Sequence, residues 1–194
     1  MSLKERVYSI LLVSQAENFN TAFTALLPES RYYPVYTVSS ISAAKQALAE
    51  RSFDFIFVNS PLPDDAGIRF AIDSASAKDT VVLLLAKNDV HDGIHDRVAE
   101  YGVFTLPRPT AKPILIQALG FMESARERLR QFEEKSLSLE EKMAEIRLVN
   151  RAKWLLISEL NMSEPDAHHY IEKQAMDSCC SKKAIAENII KTYS

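Results

Sequence analysis

Between Ala118 and Ile146 the chain repeats itself at a spacing that few folds can use. Ala118, Met122, Ala125, Leu129, Phe132, Ser136, Leu139, Met143 and Ile146 follow one another in alternating steps of four and three. Most are apolar. The residues between them are mainly Glu, Arg, Lys and Gln, and after Gly120 no glycine or proline interrupts. About four such heptads mark a coiled coil. A helix with this stripe must bury it, and the economical cover is the same helix from a second copy. A homodimer is therefore expected, with Met122, Ala125, Leu129, Phe132, Leu139 and Met143 in the seam. The competing arrangement is a long helix folded back on its own domain. Ala118, Ala125 and Ser136 make the seam weaker than a full zipper.

The rod divides the chain into three expected parts: residues 1–114, a linker helix over 115–145, and a tail over 146–194. The 194 residues are 25% charged and 47% apolar, which suits one domain of ordinary size and a smaller second one. No apolar run approaches the roughly 18 residues of a membrane span, so no membrane partner is expected. The opening residues carry no secretory cleavage pattern. The two cysteines, Cys179 and Cys180, are adjacent, so no disulfide framework exists. These features point to a cytoplasmic protein with reduced thiols. Net charge is −3, and the tail holds 7 Lys/Arg against 6 Asp/Glu. Charge by itself does not announce a nucleic-acid partner.

In residues 1–114 short apolar runs alternate with helical patterns. Val7–Val13, Tyr33–Val38, Phe53–Val58, Val81–Leu85 and Val103–Leu106 read as strands. Asn18–Leu27, the stretch from a Ser40 cap to Glu50, Ile68–Ser74 and His91–Tyr101 read as helices. Five βα units with near-continuous apolar strands imply a parallel sheet covered on both faces, a flavodoxin-like α/β fold. Sites in such sheets lie at the carboxyl ends of the strands.

The order of these elements, with Pro63 and Gly67 in a P-x-x-x-G turn, resembles the receiver domain of two-component response regulators. That family holds magnesium with two acidic residues after its first strand and accepts phosphate on an Asp after its third. Its fourth strand ends in Thr or Ser and its fifth in Lys-Pro. Here Ser14 and Gln15 follow the first strand, Asn59 takes the acceptor's place, Ala86 replaces the hydroxyl residue, and Arg108-Pro109 replaces Lys-Pro. A carboxamide is a poor nucleophile, and magnesium prefers anionic oxygens. The resemblance therefore implies a pseudo-receiver that does not use aspartyl phosphate, with Arg108 free to hydrogen-bond Asn59 or backbone carbonyls and the surface open to a protein partner. Asp64 and Asp65 read as turn formers. His91 and His95 stand one helical turn apart without a third ligand, so neither a metal nor another cofactor is expected. No phosphate loop or nucleophile motif occurs, and no enzyme activity is expected.

The rod runs on through Arg147–Leu160, whose apolar face is wider than a seam and suits a helix entering a bundle. Ser163-Glu164-Pro165-Asp166 opens a second helix to about Met176, and Ser181 caps a third that ends at Tyr193. Arg151-Ala152-Lys153, Ala167-His168-His169-Tyr170-Ile171, Ala175-Met176 and Ile185-Ala186 before Ile189-Ile190 give this three-helix block a resemblance to the ANTAR domain. That module binds RNA in antitermination and follows receivers. Trp154 stands where the family often has Gly, and Ser178-Cys179-Cys180 where it often has a basic residue.

The resemblance implies a hairpin RNA partner in a nascent transcript leader. Loops are read by stacking and by contacts to base edges, with cations on phosphates. Arg151, Lys153, His169, Lys173, Lys182 and Lys183 are the expected contacts; each also suits a solvated helix face. Tyr170 and Trp154 can either stack a base or pack in a core, and the core is the expected place for Tyr170. The expected function is a homodimeric transcription antitermination regulator. A DNA-binding regulator and a protein-only dimeric scaffold are its rivals, though no helix shows the Arg, Asn and Gln of a recognition helix.

Overall fold

The structure is a computed structural model that describes residues 6–76 and 79–193. The chain divides into two compact units, residues 1–131 and 132–194. In the first, five strands form a parallel sheet: β1 (Tyr8–Val13), β2 (Tyr32–Val38), β3 (Phe55–Asn59), β4 (Val81–Lys87) and β5 (Phe104–Arg108), in the order β2-β1-β3-β4-β5. Between them run α1 (Glu17–Thr24), α2 (Ile41–Glu50), α3 (Ile68–Ala75) and α4 (Asn88–Val98), the last followed by a 3-10 turn at Ala99–Tyr101. Strand alternation sends neighbours to opposite faces. Leu11, Val13, Ile56 and Val58 meet residues of α2, α3 and α4, while Ile10, Leu12, Phe55 and Phe57 meet Phe23 of α1.

The second cover of that latter face is the start of the long helix. Helix α5 spans Lys112–Leu160, 49 residues. Its first turns put Leu115, Ala118, Leu119 and Met122 into the sheet core, with Ala125 and Leu129 packed against it. This corrects the expected seam. Met122 is fully buried within its own unit, so a second copy cannot reach it, and Ala125 and Leu129 are half-buried on the same surface. A heptad stripe and a helix packed on a sheet share the same spacing, which is why the sequence did not separate them. Phe132, Leu139 and Met143 remain exposed.

Charged groups on α5 fix this packing. Glu123 accepts from Arg31 at 2.6 Å and from the Tyr32 hydroxyl. Asp54 accepts from the Ser9 N–H at 2.9 Å, the Ser9 hydroxyl at 3.0 Å and Arg126 Nε at 3.0 Å. Glu127 accepts from the Tyr8 hydroxyl at 3.0 Å and pairs with Arg6 and Arg130.

In the second unit, the end of α5 packs with α6 (Glu164–Asp177) and α7 (Lys182–Tyr193). Ala152, Ala167 and Ala186 are fully buried beside Leu156, Ile171 and Ile189; small residues at these places let the helices approach closely. Tyr170 is exposed rather than in this core, which corrects its expected placement. The Ser163 hydroxyl accepts the Asp166 N–H at 3.3 Å and donates to the Asp166 carboxylate at 2.5 Å, and Ser181 caps α7 through Ala184 N–H at 3.2 Å. Such bonds satisfy helix donors that have no partner within the helix.

Candidate functional site

The carboxyl edge of the sheet brings together the residues expected there. Ser14, Asn59 and Ala86 are buried at the ends of β1, β3 and β4, and Arg108 closes β5. Asn59 donates from Nδ2 to Ser14 Oγ at 2.9 Å and accepts from Arg108 at 2.5 Å through Oδ1. Ser14 Oγ also accepts the Ala16 N–H at 3.2 Å. Burial lowers the Arg108 pKa. Gln15 lies outside this cluster and is exposed. The donor set is thus a hydroxyl, a carboxamide and a guanidinium. A magnesium ion wants anionic oxygens, and these residues offer neutral ones beside a fixed cation, so they do not fit one.

The two nearby acids serve the backbone. Asp64 accepts the N–H groups of Ile41 and Ser42, both at 3.0 Å, and the Ser42 hydroxyl at 3.0 Å. It thereby holds the first turn of α2 together with Ser40, and these bonds, the Ser42 N–H foremost, lower its pKa. Asp65 accepts the Gly67 N–H at 2.5 Å. Gly67 has φ 76°, and a Cβ there would stand 2.8 Å from Val58 Cγ1, so the turn requires glycine. On α4, His95 bonds to Thr105 Oγ1 at 2.8 Å and stacks on His91. Among the described residues no three His, Cys, Asp or Glu side chains gather as metal ligands.

In the helical unit the six expected RNA contacts differ in availability. Arg151, His169, Lys173 and Lys183 are exposed. Lys153 is bonded to Glu164 at 2.7 Å and Lys182 to Glu172 at 2.5 Å. These bonds lower the pKa of both carboxyls. Lys153 and Lys182 share a groove with Lys142, Asn150 and His168. Arg147, also exposed, was not singled out from the sequence; its place one turn before Arg151 is the signal that would have found it. The expected dimer contacts Leu139 and Met143 belong to this unit's exposed surface, with Phe132 at its start. No helix among the described residues is long and apolar enough to cross a membrane.

Comparison with known proteins agrees with both halves. Residues 137–190 match the ANTAR domain family. The transcriptional regulatory protein PdtaR of Mycobacterium tuberculosis is 29% identical over 140 residues, which span 72% of this chain and 68% of that protein. Among solved structures, an adenylate cyclase from Rhodopirellula baltica superposes with TM-score 0.58 at 20% identity, covering 69% of this chain and 98% of that one. A CheY-like response regulator receiver domain from Methylobacillus flagellatus does so with TM-score 0.51 at 19% identity, covering 60% and 98%. At such identities the likeness carries the fold alone. The first unit thus has the fold of receiver domains, and residues 137–190, within the helical unit, match the ANTAR domain family.

Proposed function

We propose that this protein is a homodimeric transcription antitermination regulator that binds hairpin RNA through its ANTAR domain. Binding would hold an antiterminator hairpin so that a terminator cannot form, a step that needs no catalysis. The observation that carries the reading is the ANTAR match over residues 137–190, within a compact helical unit whose Arg147, Arg151, Lys173 and Lys183 have no acidic partner among the described residues. Such cations are placed to neutralise phosphates.

The receiver site supports a role without phosphotransfer. Acceptance of a phosphoryl group needs a carboxylate nucleophile and a divalent cation. Asn59 is an amide already bonded on both sides, and Arg108 occupies the polar edge. Dimerisation is supported by the exposed heptad positions Leu139, Met143 and Ile146, which a second copy of α5 would cover. Two linked bundles would then engage paired hairpins with raised effective concentration.

Filter binding with a stem-loop RNA over a range of salt concentrations tests the reading. The expected result is salt-dependent binding whose slope falls by about 0.7–0.9 when Arg151 or Lys173 is replaced by Ala. Preference for duplex DNA would favour a DNA-binding regulator, and no binding of either nucleic acid at low salt would leave a protein scaffold.

A further inference from the structure

The side chain of Trp154 serves no visible purpose in the fold. It is 70% exposed, the most exposed aromatic among the described residues, although tryptophan is usually among the better-buried side chains. It makes no ring contact and no hydrogen bond there. The bundle core lies on the other side of its helix, at Ala152 and Leu156. Its own face is made by Arg147, Asn150, Arg151 and Ser158, all exposed and seven, four and three residues before it and four after. At 3.6 residues per turn these side chains form one stripe, about 10 Å long from Arg147 to Trp154. Among the described residues Arg147 and Arg151 have no acidic partner, in contrast to Lys153 and Lys182. The stripe from 147 to 158 thus holds two unpaired guanidiniums, an amide and an indole.

This is the chemistry of a single-stranded nucleic-acid site. Guanidiniums hold phosphates, and an aromatic face stacks a base that is not already stacked in a helix. Cations by themselves would serve duplex and loop alike; the indole gains a partner only from an unpaired base. We infer that Trp154 is a stacking platform for an unpaired loop base, with Arg147 and Arg151 on the phosphates beside it and Asn150 within reach of base edges. The inference rests on the RNA-binding reading above and adds which part of the RNA is recognised and where. A second copy covering the indole is the competing arrangement, because Met143 and Ile146 lie close to the same face.

Trp154 is the one tryptophan in the chain, so its fluorescence reports this site directly. The full-length protein is titrated with a synthetic stem-loop RNA and with the blunt duplex of the same stem, and filter binding is run in parallel. The expected results are solvent-exposed emission without RNA, strong quenching by the stem-loop, and little quenching by the duplex. Trp154→Ala weakens stem-loop binding roughly 5- to 100-fold with an unchanged salt slope, and Trp154→Phe retains most of the affinity. Arg147→Ala and Arg151→Ala reduce the slope instead. Stem-loop binding that leaves the emission unchanged overturns the inference while the RNA-binding reading stands. Blue-shifted emission in the RNA-free protein that moves to the red in Leu139→Lys overturns it in favour of a dimer contact. If the stem-loop does not bind at all, both readings fall.

Discussion

Arg108 donates to the carboxamide oxygen of Asn59 at 2.5 Å, and the amide nitrogen of the same Asn59 donates to Ser14 at 2.9 Å. Three strand ends are thereby tied through one neutral side chain. The arrangement gives a half-buried guanidinium an acceptor and leaves the carboxamide with both of its ends bonded, so the edge is tied together from within.

That arrangement predicts inertness to phosphodonors. Incubation with acetyl phosphate and magnesium leaves the intact mass unchanged. Asn59→Asp restores a carboxylate, but Ser14 and Gln15 still supply only neutral ligands and Arg108 stands ready to pair with the new acid, so this variant stays unmodified as well. A phosphate-sized mass gain in the unaltered protein would refute the pseudo-receiver reading.

The helix α5 seam predicts two different outcomes from one kind of substitution. Leu139→Lys and Met143→Lys put charge at exposed heptad positions and turn the proposed dimer into a folded monomer, as sedimentation velocity reads it. Met122→Lys puts charge into the fully buried sheet core and lowers the unfolding free energy of the receiver unit by several kcal/mol, read by urea denaturation. A monomeric unaltered protein at micromolar concentration would end the dimer proposal.

The sheet was legible in the sequence because near-continuous apolar runs such as Val81–Leu85 occur where a strand is buried on both faces, and the observed β4 covers them. The bundle was legible from its Ser163 and Ser181 caps and its helical spacing. The partner of the stripe was not. Spacing reports which residues share a face and is silent on what covers it, so Met122 and Leu139 looked alike although one faces a sheet and the other solvent. Tyr170 and Trp154 posed the same problem. Tertiary ties such as Glu123 to Tyr32, 91 residues apart, leave no local signal at all. In the receiver pocket, the residues at the strand ends were readable from the turn motif, but their mutual hydrogen bonds were not.

That Glu123–Tyr32 contact is itself testable. Glu123 is buried on α5 and also takes Arg31 at 2.6 Å. Tyr32→Phe removes a hydrogen bond to a charged acceptor and costs about 1.5–3 kcal/mol in urea denaturation. Glu123→Ala strands both partners and costs more, about 3–5 kcal/mol. Burial first, and then the bond to Glu123, push the Tyr32 hydroxyl far above its ordinary pKa. Its contribution is therefore complete below pH 10 and is lost only as pH climbs beyond that value.

At the end of α6, Cys179 adopts φ 50°, a left-handed conformation that favours glycine. Cys180 N–H reaches back to Ala175 O at 3.0 Å and Cys179 N–H to Met176 O at 3.2 Å, the paired bonds of a Schellman cap. Cys179→Gly relieves the side chain's clash in this conformation and raises the stability of the helical unit by about 0.5–1 kcal/mol, whereas Cys179→Val lowers it. Thermal unfolding followed by circular dichroism distinguishes the two, and equal midpoints would show that the cap tolerates either residue.

Glu164 and Glu172 hold Lys153 and Lys182 in the free protein, and RNA would have to compete for both lysines. The pKa of each carboxyl is lowered, first by the hydrogen bond from its lysine and then by that lysine's charge. A lowered folded value means that the pairs are fully formed above the ordinary carboxylate range near about 4.3 and are lost as pH falls through the folded value. Between pH 6 and 8 they do not change, so only substitution releases the lysines. If Lys153 meets a phosphate, Glu164→Gln strengthens stem-loop binding several-fold at low salt and steepens the salt slope by about 0.7–0.9. Removing a negative charge helps any polyanion to bind, so Glu187→Gln serves as the control: Glu187 is exposed on α7 and has no cationic partner among the described residues. A gain confined to Glu164→Gln places Lys153 on the RNA surface. Equal small gains in both variants would mean that Lys153 serves the bundle through Glu164, and that the phosphates are met by the unpaired cations instead.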